Sequence, residues 1–269
     1  MKTVLLYANE DAGFESRLQA ALDVSRTFGA HVSCVQVTPF DSFIMGDPFG
    51  GAYALPIIVE AVREAEDKHR ARIEQRLQVE GIGWDWSRYD GVPAQVVLDQ
   101  ARLADLVVLS LPDGESGYDG PLAMVGDVAL HARAPVLAMP QSSRSFDCEA
   151  PALVAWNGSP EAAHALRLTL DALGRAARVN VVTVAEDKPD FPSTDAAQYL
   201  ARRGIGCEVH EWPADGRSTA DALVDAAKVL GAGYVVMGAY GHSRLRESML
   251  GGTTRDMLRR GDIPLLLAH

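Results

Sequence analysis

Hydrophobic residues along this chain alternate between two patterns: short dense runs, and longer stretches in which they recur every three or four positions. Thr3–Tyr7, Leu106–Ser110, Ala152–Trp156, Val179–Val184 and Tyr234–Met237 are almost unbroken in Val, Leu, Ala and aromatic residues. Such runs mark strands covered on both faces, since a half-solvated strand would alternate polar with apolar. Between them the period becomes helical. In Glu161–Ala176, residues Ala162, Ala165, Leu166, Leu170 and Leu173 share one face, and Thr219–Leu230 is strongly periodic. The preceding Asn157-Gly158-Ser159-Pro160 supplies a turn and a helix cap. The later part of the chain is completed by a helix over Ser193–Arg203, a strand over Cys207–Trp212, a helix over Thr253–Arg260 and a strand over Leu265–Ala268. The earlier part predicts helices over Gly13–Phe28, Pro56–Val79 and Pro93–Leu103, strands over His31–Val37, Trp84–Tyr89 and Val136–Met139, and a short helix before the last of these. Strands alternating with helices imply an α/β fold, a doubly wound parallel sheet with helices on both faces.

The two series are copies. Val107-Val108-Leu109-Ser110 matches Val235-Val236-Met237-Gly238 at an offset of 128, and Ala134-Pro135-Val136-Leu137-Ala138 matches Ile263-Pro264-Leu265-Leu266-Leu267 at 129. Leu6-Tyr7-Ala8-Asn9 matches Val154-Ala155-Trp156-Asn157 at 148, so the first copy holds about 20 extra residues. Phe40–Pro56, with Gly46-Asp47-Pro48-Phe49-Gly50-Gly51, reads as that inserted loop. Its Phe43, Ile44, Met45 and Phe49 are too apolar for a freely solvated loop, which favours domain packing or a partner contact over a lid. The expected division is 1–140, a short polar linker over 141–151, and 152–269, with the halves packed on each other.

Composition narrows the class. With 48% hydrophobic and 23% charged residues the chain is globular. A formal charge of −11 disfavours a broad nucleic-acid or anionic-membrane surface, but not a local phosphate site built from backbone amides. Three widely spaced cysteines suit a reducing compartment, and neither a leader nor an 18-residue apolar span is evident, so a cytoplasmic location is expected.

The candidate chemistry lies where strand Tyr234–Met237 runs into Gly238-Ala239-Tyr240-Gly241, continues through His242–Leu250, and reaches Gly251-Gly252-Thr253-Thr254 at a helix start. Small residues let backbone approach a ligand, and a helix N-terminus offers free N–H groups and positive dipole to an anion. Val235–Leu267, with its Gly-x2-Gly-x9-Gly spacing and final Pro-Leu-Leu-Leu strand, resembles the C-terminal signature of the universal stress protein (UspA-like) family, and the resemblance extends over both halves as a tandem member. It implies a five-stranded parallel sheet in each domain, an adenine-nucleotide site (ATP, ADP or AMP, with Mg²⁺ as an optional companion), and domain pairing through the last strands. By position, Gly238 and Gly241 would line the nucleotide. Gly251, Gly252, Thr253 and Thr254 would bind its phosphates, and Val184 would lie near the adenine. Asn157 stands where the family has an acid, and Gly252 where it has Ser or Thr, which weakens the case for metal-assisted hydrolysis. His242, Arg244 and Arg246 are candidate cationic contacts, with a solvated loop face as the alternative.

The first copy lacks the motif. Ser110 and Asp113 replace its first two glycines, and Asp113, Glu115 and Asp119 would repel phosphate, so a degenerate structural or regulatory copy is expected. His31/Cys34 and Cys207/His210 sit three apart on strands and face opposite ways, which disfavours metal pairs. Trp84 and Trp86 share a strand face as a packed pair, and Glu60, Glu64, Glu66 and Lys68 read mostly as a solvated helix face. No Gly-x4-Gly-Lys-[Ser/Thr] or Gly-x-Ser-x-Gly occurs. The favoured reading is an adenine-nucleotide-binding stress-response regulator or sensor. A slow ATP hydrolase using His242 or Mg²⁺, a nucleotide-free interaction scaffold, and further self-association to a homodimer stay open.

Overall fold

The computed structural model describes residues 1–39, 55–111, 121–184, 191–241 and 252–269, with backbone alone at 55, 56 and 121–123. The inserted loop through residue 54, the acidic residues Asp113, Glu115 and Asp119, and His242 to Gly251 lie outside the described residues. The first half runs β1 (Thr3–Tyr7), α1 (Phe14–Phe28), β2 (His31–Thr38), α2 (Leu55–Glu80), β3 (Trp84–Asp90), α3 (Pro93–Gln100) with a 3₁₀ turn at Ala101–Leu103, β4 (Leu106–Ser110), α4 (Pro121–His131) and β5 (Val136–Met139). The second runs β6 (Ala152–Ala155), α5 (Pro160–Leu168), α6 (Leu170–Leu173), β7 (Val179–Val184), α7 (Ser193–Ala201), β8 (Cys207–Trp212), α8 (Thr219–Leu230), β9 (Tyr234–Gly238), α9 (Gly252–Arg260) and β10 (Leu265–Ala268).

All ten strands form one sheet in the order β3-β2-β1-β4-β5-β10-β9-β6-β7-β8. Each half therefore has the same internal order, read outward from a shared centre. Every pair is parallel except the central one, where Leu265, Leu266 and Leu267 oppose Ala138, Leu137 and Val136 in antiparallel register. The expected pairing through the last strands thus occurs within the chain. Alternate strand residues feed two cores. Val4, Leu6, Val108, Val154, Val181 and Val236 pack beneath α1, α2, α5, α6 and α7. Leu5, Val107, Leu153, Val182, Val235 and Met237 pack beneath α3, α4, α8 and α9. Covering both faces explains why these strands lack polar alternation.

Three expectations need amendment. The helix over Glu161–Ala176 is broken at Thr169, whose φ of −102° and ψ of 11° separate α5 from α6. Its hydroxyl donates to the Ala165 carbonyl at 2.8 Å, a local bond that competes with regular helix and bends it. Glu66 is no solvated residue. Thr38 Oγ1 donates to it at 2.8 Å and Arg63 and Arg88 flank it, with 12% of its side chain exposed; Glu64 and Lys68 do form an exposed pair. The 141–151 segment is polar in composition, yet it buries Phe146 and Cys148, and the Phe146 ring rests 5.4 Å from that of Tyr234. Trp84 and Trp86 both pack against the first core, and Trp86 also donates to Gln36 Oε1 at 3.2 Å. His31 is exposed against Asp85 while Cys34 is buried, in keeping with opposite strand faces. No group of three or more potential metal-ligating His, Cys, Asp or Glu gathers among the described residues.

Candidate functional site

In the second half the strand order reverses between β6 and β9: the chain moves outward from β6 through β7 and β8, then returns to β9 and on to β10. Above the carboxyl ends of these strands lies a cleft of about 380 Å³, within the range of small-molecule sites. Its wall is apolar where Ala155, Val182, Val184, Leu223 and Met237 meet, and polar where Asn157, Ser159, Glu161, Thr183 and Thr219 do. Gly238, Gly241, Gly252, Thr253 and Thr254 complete it. The structure therefore brings together seven residues singled out from the sequence (Asn157, Val184, Gly238, Gly241, Gly252, Thr253 and Thr254), while His242 and Gly251 fall outside the described residues.

Local chemistry places each. Ser159 caps α5, its Oγ accepting from Ala162 N at 3.1 Å, and Asn157 Oδ1 accepts from Ser159 N at 3.1 Å, which tightens the turn at the strand end. The indole of buried Trp156 donates to the Phe191 carbonyl at 2.9 Å and closes the floor. Gly252 to Thr254 begin α9, so their N–H groups have no partner within the helix. The Thr254 hydroxyl accepts from Tyr240 N at 3.2 Å, which leaves its own hydrogen to donate. Tyr240 holds the left-handed conformation, φ 55°, and its phenol lies against Gly126 of α4, tying the rim of this cleft to the first half.

The two glycines after β9 serve different ends. A side chain on Gly241 would point into the cleft, its Cβ 3.2 Å from Glu161 Oε2. A Cβ on Gly238 would instead strike the start of α5, 2.6 Å from Ala162 N and from Glu161 C. Helix packing thus demands glycine at 238, a reason the sequence reading did not give, while the residue still lines the cleft. Gly252 has open space around a would-be Cβ, so neither packing nor crowding explains the missing Ser or Thr there.

Two lining residues escaped the sequence reading. Among the described residues, Glu161 Oε2 and Thr183 Oγ1 are buried atoms without a hydrogen-bond partner, and both residues border this cleft. Buried polar groups are normally paired, so two orphans at one cleft point to a ligand that satisfies them. Nothing local in the sequence marks either one. Thr183→Val should stabilise the ligand-free protein by about 1 kcal/mol, because it removes an unpaired hydroxyl at nearly constant shape. A urea midpoint that fell instead would show that the hydroxyl has a partner.

The equivalent crevice of the first half is filled from within. Arg17, only 2% exposed, donates to the Tyr7 and Asn9 carbonyls, to Ser110 Oγ at 2.8 Å, and through both terminal nitrogens to Asp11. Its guanidinium stands 5.3 Å from the Tyr7 ring centre. Burial pushes the Tyr7 phenol up to about 12, with the nearby cation pulling back. Ser110 replaces the glycine equivalent to Gly238, and Gly13 faces it across the contact: a Cβ at Gly13 would lie 2.5 Å from Ser110 Cβ. Where the strand carries a side chain the helix has glycine, and in the second half the order is exchanged. A legible signal for the plug existed, since Arg17 interrupts the apolar stripe of Phe14, Leu18 and Ala21, where the second copy has Ala165.

Neither a scan against protein-family models nor a search of curated proteins finds a match. Solved structures do match. A universal stress protein from Archaeoglobus fulgidus DSM 4304 is 15% identical, with a TM-score of 0.74 over 99% of this chain and 95% of its own. A functionally unknown protein from Pseudomonas aeruginosa PAO1 is 15% identical with a TM-score of 0.57, over 99% and 92%. A candidate universal stress protein from Pseudomonas aeruginosa UCBPP-PA14 is 16% identical with a TM-score of 0.55, over the same shares. With the repeated strand order, the antiparallel central pair and the end-to-end superposition, the chain has the fold of a tandem universal stress protein.

Proposed function

We propose that the second-half cleft binds an adenine nucleotide, ATP, ADP or AMP, and that the protein is a cytoplasmic sensor or regulator in a stress response. The observation that carries this is the open N-terminus of α9 facing an apolar-walled cleft at the strand-order switch point. Anionic phosphates suit the helix amides, and a flat base suits Val184, Leu223 and Met237. The orphaned Thr183 and Glu161 atoms and the side-chain-free face of Gly241 fit such a ligand. The described lining contains one carboxylate and no Lys or Arg, so it offers little to stabilise charge on a transferred phosphoryl group. Binding and signalling are therefore favoured over turnover. A Mg²⁺ ion would neutralise phosphate charge and, with Glu161 the sole carboxylate of that lining, would arrive with the nucleotide. In this reading residues 1–140 are a degenerate partner domain, 141–151 a joint, and 152–269 the binding domain.

Calorimetric titration with ATP, ADP and AMP, with and without Mg²⁺, tests the proposal. Gly241→Val should weaken nucleotide binding about 100-fold, since overpacking worth about 3 kcal/mol converts to that factor. The fold should survive, because the nearest neighbour of the new Cβ is the end of the Glu161 side chain and not backbone. Unchanged affinity in a folded variant would remove the cleft from consideration.

A further inference from the structure

Asn157 lines the cleft just past the end of β6, and four residues later the cleft holds a carboxylate. Glu161 opens α5 and is tucked beneath the end of β9. A Cβ on Gly238 would lie 2.9 Å from Glu161 Cβ, and one on Gly241 3.2 Å from its Oε2. Its role is not to cap the helix, because Ser159 Oγ already accepts from Ala162 N. An ionised carboxylate only accepts hydrogen bonds, and a buried oxygen without a donor is costly, so Oε2 awaits a ligand with donors. Thr183 gives independent support: it is 8% exposed, its hydroxyl is equally unpaired, and it borders the same cleft.

The chemistry of that ligand can be narrowed. Phosphate is excluded beside Glu161 by like charge, and the amides of α9 offer it a better seat. A chain-held cation needs more ligands than the single carboxylate here, and no such cluster exists among the described residues. Neutral hydroxyls are what an acceptor-only oxygen pairs with best, and acidic side chains meet ribose hydroxyls in this way in other doubly wound folds. We infer that Glu161 is the residue that reads the sugar, accepting hydrogen bonds from the ribose hydroxyls of the bound nucleotide. This rests on the nucleotide reading above and assigns the sugar contact to α5, since Asn157 Oδ1 already accepts from Ser159 N.

The full-length protein and its Glu161→Ala and Glu161→Gln variants are titrated with ATP, 2′,3′-dideoxy-ATP and inosine triphosphate, each with and without Mg²⁺, after thermal melts confirm folding. The wild type should bind ATP about 10–100-fold more tightly than the dideoxy analogue, as a site built for hydroxyls rejects a ligand that lacks them. Glu161→Ala should erase that ratio, and Glu161→Gln, which keeps one acceptor, should retain part of it. Equal binding of ATP and dideoxy-ATP by the wild type overturns the inference while leaving the nucleotide reading standing. So does a ratio that persists in Glu161→Ala, a Glu161 effect seen only with Mg²⁺, or discrimination confined to the inosine analogue. Failure of the wild type to bind any of the three overturns both.

Discussion

Gly238→Ala is expected to lower the unfolding free energy by about 2–3 kcal/mol, at the upper end of what overpacking costs. The reason lies in what the new methyl would meet. Ala162 N and Glu161 C are backbone atoms 2.6 Å away, in the first turn of a helix pinned by its Ser159 cap and by Ala162, Ala165 and Leu166 in the core. A flexible side chain could swing aside, but this helix end can yield only by moving the turn and the strand end together. The urea midpoint measures the effect, and the same change should disturb the cleft, because Glu161 moves with its backbone. A midpoint equal to that of the unchanged protein would show α5 free to shift, and the packing explanation for Gly238 would be wrong. Gly241→Ala, placed three residues on, should cost far less stability.

Asp11→Ala should destabilise the first half by about 3 kcal/mol, the lower end of what breaking a buried ion pair costs, because Asp11 is itself nearly half exposed. Arg17 has no route to solvent at 2% exposure, and among the described residues its two bonds to Asp11, at 2.8 and 2.9 Å, are its sole contacts with an opposite charge. Without that carboxylate the guanidinium stays buried on two carbonyls and one hydroxyl. Gly13 N also loses the oxygen that accepts from it at 2.8 Å, which loosens the start of α1. Combining Asp11→Ala with Arg17→Met should recover most of the loss, since an apolar chain of similar length fills the crevice without a charge. Additive losses in the double variant would show that the guanidinium fills space and that its charge is of no consequence.

Much of the architecture was legible in advance because it depends on short-range periodicity. The strand runs Val179–Val184 and Tyr234–Met237, and the periodic helix Thr219–Leu230, appear where the spacing places them. Other features were misread for definite reasons. Thr169 ends α5 through one side-chain bond, which outweighs an apolar stripe that continues past it. Glu66 looks solvated on its own helix but faces Thr38 of β2 and Arg88 of β3, beside Arg63 one turn back on α2. Arg17 was not singled out in advance, although it fills the first copy's crevice from α1; the acids expected to repel phosphate there lie outside the described residues.

By itself the sequence determined the duplication, the alternation of strand and helix, the double-sided burial of the sheet and the place of the glycine-rich cleft. These follow from residue periodicity and from offsets between copies, which need no knowledge of distant neighbours. Tertiary structure alone decided that the β5–β10 pair runs antiparallel, that Gly238 is glycine for the sake of α5, and that among the described residues Glu161 and Thr183 face a cleft unpaired. Each of those depends on which atoms from remote segments come within a few ångströms. Burial turns such proximity into free energy, and burial belongs to the packed molecule.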